Sequence, residues 1–261
     1  IYEHPDVRRM LYSMKALTEA ARAICYANAV AYDLARHAPK EEERAKAKAI
    51  EELLTPISKA WSTDRANEIA SLGVQVHGGM GYIEETGAAQ HMRDVRIAAI
   101  YEGSNGIQAI DLVGRKVQGD DGKSARAFIQ NMREEAIILK AGKRDDLKAI
   151  GARLFDATNA LAKSTDWILA SAKDPNNALA AATPYLKQFG NVVGGYYLSR
   201  GAVAAALLEK EAGADKAWLE SKIAIARFFA ENYLTEAAGL APAVAVGAGV
   251  VKKLDPAALA G

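Results

Sequence analysis

Val7, Met10, Leu11, Met14, Leu17, Ala21 and Ile24 recur at three- and four-residue steps. At 100° per residue they fill an arc of about 140°, the stripe of a core-facing helix. Pro5 and Asp6 suit a first helical turn. The pattern predicts a helix running to about Arg36, roughly 45 Å long at 1.5 Å per residue. "HAPKEEER" (37–44) reads as a polar turn and the charged start of a second helix. Its run Glu41–Glu43 is a solvated first turn favoured by the helix dipole rather than a metal site. This second helix should continue to about Val76, with a kink or short break at Pro56, which removes one backbone hydrogen bond. Beyond Pro56, the residues Ile57, Ala60, Trp61, Ile69, Leu72 and Val76 share about half of the helix circumference. "HGGMGY" (77–82) stops it.

Two shorter helices are expected over roughly 87–97 and 105–117, with "YEGSNG" between them. After "VQGDDGKS" (117–124) the texture becomes alanine-rich, with helical segments at roughly 124–140, 145–173, 177–210 and 214–238, punctuated by "KDPNN" and "EAGAD". Sustained period-two alternation is absent, and the flanks of Asn105-Gly106 read as a loop entering a helix, not a hairpin. The expected fold class is all-α, in two helical units, 1–118 and 119–261.

Charge and composition narrow the function. Thirty-three Lys+Arg against 32 Asp+Glu leave a net charge of +1, so no broad basic field argues for nucleic acid. Cys25 is the only cysteine, which excludes an intrachain disulfide and a thiolate cluster and fits a reducing, cytoplasmic setting. The longest uncharged apolar run, Ala237–Val251, has 15 residues and is interrupted by Gly239, Pro242, Gly247 and Gly249. It is short for a membrane span. The chain opens on Ile1 and enters a helix almost at once, which fits either a trimmed start or a fragment whose upstream domain is absent.

Three stretches could carry chemistry. In "QVHGGMGY" (75–82), Gly78, Gly79 and Gly81 remove side chains from a turn where a phosphate or another backbone could approach, and Gln75 can donate and accept hydrogen bonds beside it. The same glycines would also serve a plain helix cap and tight turn. The glycine spacing is not a dinucleotide fingerprint, and no strand precedes it. His77 and His91 have no cysteine to complete a zinc set. "HMRDVRI" (91–97) offers Arg93, Asp94 and Arg96 for helix-surface ion pairs. In "IYEGSNGIQ" (100–108) a lone carboxylate, Glu102, stands where the chain must turn. Ile100, Tyr101 and Ile107 supply apolar surroundings, and Gly103 and Gly106 supply close approach. A desolvated glutamate raised from about 4.3 towards ~6–7 serves as a general base. A solvated surface glutamate is the competing reading, and spacing alone does not separate the two.

The ordered pair "QVHGGMGY" and "MRDVRIAAIYEGSNGIQ" resembles the C-terminal helical domain of the acyl-CoA dehydrogenase family. The likeness covers roughly residues 4–118, and about 124–258 is similar to the extra helical domain of long-form members. Among these, the methylthiopropanoyl-CoA dehydrogenase-like group carries a similar "YEG-x-NGIQA-x-DL-x-GRK" signature. The resemblance implies FAD as cofactor, an acyl-CoA substrate, an electron-transfer flavoprotein as acceptor, and a homo-oligomer. By position, Glu102 matches the base that removes the α-proton of the thioester, and its amide would help polarise the thioester carbonyl. Gln75 and Gly79 match positions contacting a FAD bound mainly by the neighbouring subunit. Ser104 matches a flavin-contacting threonine. Gly106 departs from the polar residue that many members carry there, which removes one flavin contact. An acyl-CoA oxidase would use similar residues, and a non-catalytic helical assembly module would need no acid at position 102.

Overall fold

The computed structural model describes residues 1–253 and 255–259. It is 85% helical, with no strand among the described residues. Two long helices open the chain, α1 (Pro5–His37) and α2 (Glu41–His77). A single turn, α3 (Gly79–Tyr82), and a short α4 (Ala88–Arg96) follow. Then α5 (Asn105–Asp111) passes through a π-helical stretch, Leu112–Val117. Next come α6 (Lys123–Lys140), α7 (Asp145–Ala170), α8 (Pro175–Leu208) and α9 (Lys216–Phe229). A second π-helical stretch, Ala230–Leu234, leads into α10 (Glu236–Ala245).

Of the kink or short break expected at Pro56, the break does not occur: α2 is one continuous helix across it. Leu53, Leu54, Pro56, Ile57, Ala60 and Trp61 form one buried stripe there. Burying each large apolar side chain is worth about 1.5–3 kcal/mol. Several of them outweigh the ~3 kcal/mol that proline costs in a helix interior. The acidic start of α2 is solvated, as its pattern predicts, with Glu42 paired to Lys46 at 2.6 Å and Glu43 to Lys40 at 3.2 Å.

At the centre lies α8, buried along most of its length from Ala178 to Ala205, as befits a helix packed among others. It touches α1, α2, α5, α7, α9 and α10. Gly190 lets α2 come in close: a Cβ there would stand 2.2 Å from Trp61 Cδ1. A buried polar set crosses the same seam. Trp61 Nε1 and Arg65 Nη2 donate to Asn191 Oδ1 at 2.9 and 3.1 Å. Asn191 Nδ2 in turn donates to Glu236 Oε2 at 3.1 Å and to the carbonyl of Tyr233 at 3.3 Å. Gln188 Nε2 reaches the carbonyl of Ala237 at 2.7 Å. A π-helical stretch disturbs the normal backbone ladder, and these α8 side chains take up carbonyls in and just after it. One buried core therefore runs from Leu17 and Trp61 to Phe189 and Phe229, across the change of texture at 117–124.

Candidate active site

The turn Tyr101–Ser104 joins the end of a 3₁₀ turn, Ile97–Ala99, to α5. Glu102 has φ 56, one of two non-glycine residues with positive φ among those described, and Gly103 follows at φ 78. Left-handed backbone is costly for a residue with a Cβ, so something must hold it. Two side chains do. Gln108 Nε2 donates to the Glu102 carbonyl at 3.1 Å. Asn105, the first residue of α5, is sewn onto α2: Lys59 Nζ donates to its Oδ1 at 2.8 Å, while its Nδ2 donates to Asp64 Oδ1 at 2.6 Å and to the Ala60 carbonyl at 3.1 Å. The Glu102 N–H has no hydrogen-bond partner among the described residues. Its carboxylate is exposed, as are Ile100, Tyr101 and Ile107 around it. The desolvation expected for a base is thus not built by this chain alone.

Ser104 occupies the N-cap position of α5, yet its hydroxyl makes no capping bond. A serine at this position ordinarily accepts from the helix's first amides, so here the hydroxyl is left available beside Glu102. Asn105 and Gln108 were not singled out by sequence. Their residue types were visible in "SNGIQ", but Asn105's partners on α2 lie more than 40 positions away, and Gln108 turns back to Glu102 only once that docking has set α5.

Gln75 is exposed in the last turn of α2, and Gly79 opens α3. The three glycines of this turn differ. Gly78 ends α2 at φ 62, ψ −145, which only glycine adopts without strain. Gly81 is buried, and a Cβ on it would stand 2.3 Å from the Val74 carbonyl oxygen. At Gly79 a Cβ would meet nothing within 4 Å. The fold of this chain does not require that glycine, and the space in front of it is open. His77 Nδ1 is taken up by the Gly73 carbonyl at 2.8 Å. No cluster of three or more His, Cys, Asp or Glu suited to a metal exists among the described residues.

The two stretches do not meet. Asn105 anchors the Glu102 turn at Lys59–Asp64, and Gln75 lies 11 or more residues further along the same helix. At 1.5 Å per residue that is on the order of 20 Å. A cavity of about 810 Å³ between α1, α2 and α4 is lined by Met14, Cys25, Ile69 and His91 among others, and by none of the four candidate residues. Its lining holds no carboxylate.

With this geometry in hand, comparison with known proteins is informative. The family described as acyl-CoA dehydrogenase, C-terminal domain, matches residues 1–117, and the one described as acetyl-CoA dehydrogenase C-terminal like matches residues 123–255. The chain is 48% identical over 238 residues to a 3-methylmercaptopropionyl-CoA dehydrogenase of Ruegeria pomeroyi, and 30% identical over 243 residues to the broad-specificity linear acyl-CoA dehydrogenase FadE5 of Mycobacterium tuberculosis. Each alignment covers 90% of this chain and 40% of the relative, so the chain spans well under half of their length. An acyl-CoA dehydrogenase of Bacillus anthracis, complexed with FAD, superposes with a TM-score of 0.70 at 18% identity, over 94% of this chain and 43% of that one. Caenorhabditis elegans ACDH-11, in complex with C11-CoA, gives 0.70 at 19% identity, over 86% and 36%. At such identities the two structures establish a shared helical fold. Matched along both halves, the chain belongs to the acyl-CoA dehydrogenase family, in the C-terminal helical part of its fold.

Proposed function

We propose that this chain supplies the base and part of the cofactor site of a FAD-dependent acyl-CoA dehydrogenase, with Glu102 removing the α-proton of an acyl-CoA thioester. When bound, FAD supplies the acceptor for the hydride that leaves the β-carbon. Glu102 takes the α-proton onto its carboxylate, and its unpaired amide N–H is free to donate to the thioester oxygen as negative charge develops there, an oxyanion-type contact. The residues fit such a cofactor: Gly79 faces open space, the Ser104 hydroxyl is uncommitted, and Gln75 is exposed at the end of α2. The separation of Gln75 and Gly79 from Glu102 supports a site shared between copies of the chain in a homo-oligomer, each end serving a different flavin. An electron-transfer flavoprotein would take the electrons onward, and the single cysteine suits a reducing cytoplasm. The helical unit 1–118 would carry this chemistry, and 119–261 would be the extra unit of long-form members.

The observation that carries this reading is the left-handed Glu102. An acid held at φ 56 with its amide free is costly for a surface residue and useful for a base, since strained backbone gathers at functional sites. Glu102→Gln in the holoenzyme keeps the volume and removes the base. Flavin bleaching in a single anaerobic turnover with acyl-CoA should slow by about 10²–10⁴-fold, with FAD and acyl-CoA still bound. Bleaching at the parental rate would refute the assignment.

A further inference from the structure

The geometry points to Asn105, acting with Gln108, as the positioning device that sets the direction of Glu102; we propose this as a role separate from catalysis itself, and it rests on Glu102 being the base. Two successive left-handed residues have no repeating structure to hold them, and Glu102 has no amide bond of its own within the described residues. The turn is fastened only at its edges. On the near side, Ile100 and Tyr101 donate backbone bonds to the Ile97 carbonyl at 2.9 and 3.1 Å. On the far side, Asn105 ties the start of α5 to α2 and Gln108 reaches back to the turn.

Its carboxamide can be oriented in one way only. Lys59, a pure donor, stands at one end, and the Asp64 carboxylate, an acceptor, stands at the other. Thr63 Oγ1 lies between them, 3.0 Å from Asn105 Nδ2. The amide thus bridges a fixed cation and a fixed anion one turn apart on α2, and turning it over would set donor against donor and acceptor against acceptor. That bridge fixes the first residue of α5, two residues after Gly103. Gln108, on the next turn of α5, then reaches back to the Glu102 carbonyl. Gly103 is called for by its backbone, at φ 78, more than by space: a Cβ there would stand 3.4 Å from Gln108 Nε2, an ordinary contact. The carbonyl and the amide of Glu102 flank the same Cα, so holding the carbonyl also sets where the N–H and the side chain point.

The same two turns of α2 are held from behind by the second helical unit. Trp61 and Arg65 are bonded to Asn191, on the other side of Ala60 and Asp64. The anchor for Asn105 is therefore a rigid stretch of helix rather than a free surface.

The test is a charge-pattern exchange in the holoenzyme. Asn105→Asp keeps the size but removes both donor protons and sets a carboxylate against Asp64. Asp64→Asn alone should be near neutral, because the new amide can turn its oxygen towards Asn105. The double variant restores a donor–acceptor pair in reverse. Displacements of the order of 1 Å cost about 10²-fold in rate. Asn105→Asp should therefore slow single-turnover bleaching by about 10- to 100-fold with FAD occupancy unchanged, and the double variant should recover part of it, since the Ala60 carbonyl still faces an oxygen. In the 261-residue chain, amide exchange at Ile100, Tyr101 and Gln108 should quicken in Asn105→Asp and return towards the parent in the double variant. If Asn105→Asp does not fold, Gln108→Met decides, since it frees the Glu102 carbonyl without touching α2 and should slow bleaching similarly. Bleaching within twofold of the parent in Asn105→Asp or in Gln108→Met, or a double variant no better than Asn105→Asp, would overturn the proposal. A parental rate in Glu102→Gln would instead remove the base reading, and the exchange measurement would still decide whether Asn105 holds the turn.

Discussion

Gly78 and Gly81 are glycines for reasons internal to the fold, one for its backbone angles and one for the carbonyl of Val74 beside it. Gly79 has neither reason. Gly79→Val should therefore leave stability within about 0.5 kcal/mol of the parent, as for a surface change. In the holoenzyme it should lower flavin occupancy, and by more than Gln75→Ala, which deletes one polar contact worth about 0.5–1.5 kcal/mol. Gly81→Val should do the reverse and destabilise the chain directly. Thermal melting with and without added FAD separates the three variants, and equal flavin occupancy in Gly79→Val and the parent would return the turn to a purely structural role.

Among the elements, α8 decides most, because it packs against six other helices and Gly190 sets how near one of them comes. Gly190 and Gly201 lie on the same helix but in opposite surroundings. A Cβ at 190 would meet Trp61 at 2.2 Å, whereas one at 201 would meet nothing within 4 Å. Gly190→Ala should destabilise by about 1–3 kcal/mol through overpacking. It should also disturb the Trp61–Asn191 bond next to it. Gly201→Ala should stabilise by about 0.4–1 kcal/mol, because alanine loses less chain entropy in a helix. Urea unfolding of both variants checks the opposite signs in one experiment.

For the molecule as a whole, two family descriptions meet near residue 120, while the buried core crosses that point without interruption. We expect a single cooperative thermal transition, and two separated transitions would contradict a shared core. Acid should weaken the fold through an ion pair that spans the two units. Lys222 on α9 donates to Glu19 on α1 at 2.7 Å, and Lys15 lies 3.1 Å away. Burial pushes the Glu19 carboxyl up, but the hydrogen bonds and charges of Lys222 and Lys15 outweigh it and hold the group below its ordinary value of 4.5. A carboxylate with a lowered folded pKa adds stability that is present above its unfolded value and lost as pH falls through the folded one. The melting temperature should thus drop below about pH 4.5, and the drop should shrink in Lys222→Met.

The helices themselves were legible in the residues, and so was the turn at Glu102. Helical periodicity, a proline at a first turn and a glycine at an end are local signals, each contained within a few residues. The resemblance carried by "QVHGGMGY" and "YEGSNGIQ" belongs to the same local order. What only the tertiary structure decided depends on partners far apart in the chain. Pro56 was expected to kink or briefly break α2, and burial of the stripe on either side of it kept the helix unbroken. Asn105 reads as a loop residue until Lys59 and Asp64 stand at its two ends. Asn191 looks like a misfit in an apolar helix until Trp61, 130 positions away, and Arg65 meet its oxygen. The distance between Gln75 and Glu102 follows from where α5 docks on α2. A hydrogen bond between residues remote in sequence leaves no mark on either residue's neighbours, because its energy exists only once packing has brought the two together.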